Sequence, residues 1–204
     1  MNDYKLVEWV LDDISGELRR ISLVSAPAIE EDFMLFNSKI ESFKAIDEEK
    51  RVLTGIAMRP NMNIARRDDK GNLYYGFFSE ETVVKAAELF FKQNSNANNT
   101  NLEHEFEVEG VFVFESWIVA DPKLDKSAAL GFTNVKKGDW FVSMKIENDL
   151  VWENYLKTGL IKGFSVEVRP TVTEVEVLSA LSAIVEDETL TEDDKINKLL
   201  SLLN

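Results

Sequence analysis

The chain has 204 residues, 45% of them apolar, with 37 acidic against 23 basic side chains, a formal charge of −14, no cysteine and a single histidine. One domain, or one with appendages, is expected to build its own core, and the negative charge argues against nucleic acid or an anionic membrane as a partner. Disulfides, thiolate metal sites, cysteine nucleophiles and histidine-rich metal centres are excluded, and the absence of a Gly-rich phosphate loop or metal-ligand cluster leaves no cofactor to expect.

The opening segment, "MNDYKLVEWVLDD", carries acids where a secretory leader would carry a basic region, and no apolar run reaches membrane-span length. A soluble, cytoplasmic protein is the expectation. A short strand is predicted at Ile21–Val24, stopped near Pro27 because proline cannot donate to a ladder. Residues 37–50 are polar and mixed, a candidate linker. "RVLTGIAMRP" and "GNLYYGFFS" read as strands flanking a charged loop, Ala65 to Lys70. Ser79 is placed to cap a helix over "EETVVKAAELFFKQ", with Val83, Ala87 and Phe90 on one face and two glutamates in the first turn.

Residues 102–117, "LEHEFEVEGVFVFESW", read as a β-hairpin turning at Glu109 and Gly110. Constant summed positions along that ladder would set His104 opposite Glu115, close enough for the carboxylate to hold the imidazole. A long connection then leads to the strand "WFVSMKI". A helix from about Asp149 to Lys157 is expected to end at Gly159, and "LIKGFSVEVRP" to form a strand stopped by Pro170. The tail turns acidic from Glu186 and then amphipathic, with Thr191 and Asp194 as a capping pair before Ile196, Leu199, Leu200 and Leu203. No internal repeat is visible.

Ser165, in "IKGFSVE", is a hydroxyl that would need a neighbouring general base to act as a nucleophile, and His104 is the chain's only imidazole. Taken together, "TNLEHEFEVEGVFVFESWIVADPKLDKSAALGF", "GDWFVSMKIENDLVWENYLKTG" and "IKGFSVE" resemble the XkdF-like branch of the phage prohead maturation serine proteases, over most of residues 52–168. That resemblance implies an α+β fold, a mainly antiparallel β-barrel of the herpesvirus-assemblin type with surrounding helices. It implies a serine endopeptidase that processes scaffold and capsid proteins during phage procapsid maturation and also cleaves itself. The site would be inside the assembling procapsid in the host cytoplasm. The nucleophile would be Ser165 and the general base His104.

One element departs from the pattern. In commoner prohead proteases a Ser-Leu-Val-x-x-Pro-Ala stretch follows the nucleophile, with an acidic residue two positions before its serine. Here "RRISLVSAPAI" carries that likeness near the N-terminus, with Arg20 at the acid position, which suggests a circular permutation. An arginine cannot orient a neutral imidazole or stabilise its charged form. The third role therefore falls to Glu115 first and to Glu167 second, or is absent; the loop Ser25–Ala28 is the analogous candidate for oxyanion donors. The expected organisation is a protease-like domain over 1–170, with 1–36 supplying the permuted strand, and a helical extension over 171–204 that is cleaved off or tethers to scaffold, its amphipathic helix docking on the body, pairing with a second copy or binding another protein. The alternative is a capsid- or scaffold-associated structural protein that keeps the fold without the chemistry.

Overall fold

The computed structural model describes residues 5–11, 17–26, 34–35, 50–68, 70–93, 100–169, 171–173, 191 and 194–196. The first strands are β1 (Lys5–Val10), β2 (Glu17–Val24), β3 (Met34–Leu35), β4 (Val52–Met58), β5 (Ile64–Arg67) and β6 (Leu73–Phe77). Helix α1 (Glu80–Lys92) follows, then β7 (Thr100–Leu102), β8 (Phe106–Val108) and β9 (Val111–Ile118). After α2 (Lys126–Ala129) come β10 (Trp140–Ile146), α3 (Asp149–Val151) running into a π-helical turn (Trp152–Leu156), β11 (Gly163–Arg169) and β12 (Thr171–Thr173).

The fold is α+β, with the strands in three four-stranded sheets ordered β12-β1-β6-β5, β3-β4-β10-β9 and β11-β2-β7-β8. The expected barrel is corrected here, since among the described residues none of these sheets closes on itself, but the pairings are mainly antiparallel as expected, with β1 parallel to β6 and β2 parallel to β7 as the exceptions. The near-continuous apolar runs of β4 and β10 have both faces covered, as such runs require. Helix α1 packs on β2 and β10, with Phe90 edge-on to Trp140, their ring centroids 5.8 Å apart. Where β4 and β10 diverge, Arg59 and Asp139 form a buried two-pronged ion pair, both contacts 2.9 Å.

Several expected elements stand as read. Ser79 caps α1 by accepting from the Thr82 amide, and Val83 and Phe90 are fully buried on its inner face. Gly159 takes the left-handed conformation expected after the helical segment, at φ 71°. The Asp194 amide donates to Thr191 Oγ1, the capping contact read from the tail. The candidate linker at 37–49, Pro27 and the tail leucines lie outside the described residues.

Three readings are corrected. Ala65–Arg67 belong to β5, paired with β6, and the turn is confined to the following residues, where the Asp68 carboxylate accepts from the Lys70 and Asn72 amides. The hairpin over 102–117 does not form. β8 pairs with β7, while β9 pairs with β10 in a different sheet. Glu109 and Gly110 form a corner between sheets, because the Gly110 carbonyl accepts from the Glu147 and Asn148 amides and Asn148 Nδ2 donates to the Glu109 carbonyl. Residues Thr171–Thr173, expected in the helical extension, form β12, antiparallel to β1 in a different sheet from β11.

Candidate active site

The site starts from the antiparallel ladder of β2 and β11, which sets Ser165 opposite Ser22 and Glu167 opposite Arg20. Facing residues point to the same side, with Cβ atoms about 4.5–5.5 Å apart. Leu23 and Phe164, one step along each strand, turn the other way into the core. The serines differ in access: Ser22 is 0% exposed, whereas Ser165 is half-buried and lines a cleft of about 530 Å³.

His104 reaches this ladder from a three-residue turn between β7 and β8, closed by the pairing of Leu102 with Phe106. Both Glu103 (φ 52°) and His104 (φ 61°) are left-handed, a conformation that costs an L-residue roughly 1–2 kcal/mol. The turn is held by contacts to the end of β2 and the residue after it: the Glu103 amide donates to the Leu23 carbonyl at 3.0 Å, and Glu103 Oε1 accepts from the Ser25 amide at 2.7 Å. So held, His104 places Nδ1 2.9 Å from Ser22 Oγ and lines the same cleft as Ser165.

The cleft is lined from several strands. Trp9, Met58, Met62, Ile64 and Phe78 give it an apolar wall, while five consecutive residues of β11, from Phe164 to Val168, border it. Among the described residues β11 is the outer strand of its sheet, and this consecutive run lies along the cavity. The close approach of Trp9 to β6 depends on Gly76, since a Cβ there would fall 2.1 Å from the indole. Among the described residues no group of three His, Cys, Asp or Glu side chains is arranged to hold a metal ion, and no helix is long and apolar enough to cross a membrane.

The carboxylates anticipated from the sequence lie elsewhere. Glu115 stands opposite Ser143 on the β9–β10 ladder, not opposite His104. It accepts from Ser143 Oγ at 2.8 Å and pairs with Lys126. Partial burial pushes its carboxyl up, but the hydrogen bonds from Lys126 and Ser143 and the lysine charge outweigh this and hold it below the usual range. Glu167 lies on the ladder beside Ser165 and forms ion pairs with Arg20 at 3.4 Å and Arg19 at 3.8 Å. Arg20 also reaches Glu107. The Ser25 amide, one of the suggested oxyanion donors, is occupied by Glu103, and Pro27 and Ala28 lie outside the described residues.

Ser22 is not singled out by sequence reasoning; the signal for it is the serine of "RRISLV", the stretch that resembles the displaced element, two positions after Arg20. The family described as "Putative phage serine protease XkdF" matches residues 39–174. β2, which carries Ser22, lies outside the matched span. No curated protein and no solved structure matches the chain.

Proposed function

The chain belongs to this family of phage serine proteases, and from that premise we propose that it is a serine endopeptidase in which Ser165 is the nucleophile and His104 the general base. The observation that carries the reading is that both side chains line one cleft, while Ser22, the ladder partner of Ser165, holds His104 by Nδ1. With Nδ1 engaged, Nε2 is the ring nitrogen left for proton transfer. The Ser165 oxygen bonds to the substrate carbonyl carbon as its proton passes to Nε2. The resulting imidazolium gives that proton to the departing amine as the C–N bond breaks. Water then attacks the acyl-enzyme, losing a proton to Nε2 that returns to the serine oxygen as the acyl bond breaks.

The place of β11 as the outer strand of its sheet among the described residues, along the cleft, suits a substrate bound as an extended segment beside it, with the apolar wall taking a large apolar side chain. The substrates in this reading are phage scaffold and capsid proteins, cut inside the assembling procapsid in the host cytoplasm, together with the chain's own terminal segments. The place of β2 beside β11 supports the permutation, in which a strand that follows the nucleophile in commoner prohead proteases is supplied from the N-terminal side. The test is to co-express the full chain with its phage's scaffold and capsid proteins and to map new termini by mass spectrometry. Wild type should generate discrete cuts, and Ser165→Ala should abolish them while keeping the wild-type circular dichroism spectrum. Equal processing by the alanine variant would overturn the assignment and leave a structural role for the fold.

A further inference from the structure

We infer that Ser22 is the third member of the site, a positioning residue whose hydroxyl takes the place a carboxylate would occupy behind His104. The inference rests on the proposed roles of Ser165 and His104. Ser22 is the hydrogen-bond partner of Nδ1, at 2.9 Å. It is 0% exposed, so it cannot meet a substrate, whereas Ser165 borders the cleft; the two hydroxyls facing each other across the ladder therefore have different roles. The carboxylates that could have served are engaged otherwise: Glu115 with Ser143 and Lys126, Glu167 with Arg20 and Arg19.

A hydroxyl can accept from Nδ1–H in both charge states of the ring, and it keeps its own proton throughout. Accepting there selects the tautomer with Nε2 bare, the form that can receive the Ser165 proton. Being neutral, it supports the imidazolium less than a carboxylate would, so the site relies more on geometry. The strained turn and the anchoring of Glu103 to Leu23 and Ser25 supply that geometry.

The single histidine makes the proposal directly readable. In full-length chain labelled with 15N-histidine, the ring-nitrogen signals of the neutral form should show Nδ1 protonated and Nε2 bare. Ser22→Ala should raise the fraction carrying the proton on Nε2, and Ser22→Thr should restore the wild-type pattern. Processing of co-expressed scaffold should slow about ten-fold in Ser22→Ala and recover in Ser22→Thr. That is the low end for a hydrogen bond to a charged group, because His104 is exposed and water can replace the lost acceptor. If Ser22→Ala fails to fold, Ser22→Thr against Ser22→Val, similar in volume, carries the same contrast. An unchanged tautomer on loss of the hydroxyl, or unchanged processing, would overturn the role. The tautomer measurement needs no turnover, so it can fail while Ser165 remains the nucleophile; processing by Ser165→Ala would instead remove the reading on which the inference rests.

Discussion

Two hydroxyl clusters in this molecule are built from similar parts and differ in what surrounds them. On the β4–β10–β9 sheet, Ser143 lies between Thr54 and Glu115, with contacts of 3.0 and 2.8 Å, and Lys126 covers the carboxylate. On the β2–β11 ladder, Ser165 faces Ser22, and Ser22 meets His104 at 2.9 Å. The first cluster has a carboxylate but no imidazole, and its serine and threonine are buried at 1% and 2% exposure. The second has an imidazole that, among the described residues, bonds a hydroxyl and no carboxylate, and it borders a cleft. A serine near an acid is therefore no guide by itself; the imidazole and the cleft set the clusters apart.

The sharpest way to break this comparison is to remove one key group from each. His104→Ala should lower scaffold processing by about 10²–10⁴-fold, the usual worth of a positioned general base, while Glu115→Gln should leave it within about two-fold. Both are checked by time courses of scaffold cleavage at matched protein concentration. A loss in Glu115→Gln comparable to that in His104→Ala would return the third role to Glu115.

The next effect is on stability. Ser143→Ala leaves the buried Thr54 hydroxyl without its partner and takes one hydrogen bond from Glu115, so it should cost about 1–3 kcal/mol. The shift in urea midpoint at unchanged slope measures it, with processing per folded molecule preserved. The Glu115 carboxyl is held below its ordinary value of 4.5. Its stabilisation is thus fully present above the unfolded-state value and is lost as pH falls through the lower folded-state value. Glu115→Gln should accordingly flatten part of the acid limb of the melting temperature below about pH 4.5. The change should be small, because the side chain is 35% exposed and solvent screens the pair.

The first cluster and its strands were the more legible part. β4 and β10 announce themselves as apolar runs too short for helices, and α1 carries both its period and its cap. What misled was Glu109–Gly110, which satisfies the chemistry of a two-residue turn as well as that of a corner between sheets. The deciding contacts come from Glu147 and Asn148, almost forty residues further on. That one ambiguity transferred β9 to the wrong neighbour and Glu115 to the wrong cluster. His104 and Ser165 are legible because a lone imidazole and a hydroxyl in a recognisable order need no fold to be seen. Ser22 is not, since its place beside Ser165 comes from a register between strands some 140 residues apart.

The smallest predicted effect concerns how His104 is held. A left-handed backbone at a non-glycine residue is a local cost, and here two occur in succession, at Glu103 and His104, with no glycine in the turn to signal it. If that conformation is fixed by the contacts of Glu103 with Leu23 and Ser25, loss of the imidazole alone should not release its cost, whereas loss of the Cβ should. His104→Gly and His104→Ala both delete the base and should be equally inactive, but the glycine variant should be the more stable by about 1 kcal/mol, because only alanine keeps the Cβ that opposes φ 61°. Chemical denaturation of the two variants side by side measures the difference. Equal stabilities would mean that the turn relaxes once the imidazole is gone, and that the contact with Ser22 imposes the backbone conformation instead of exploiting one fixed by Glu103, Leu23 and Ser25.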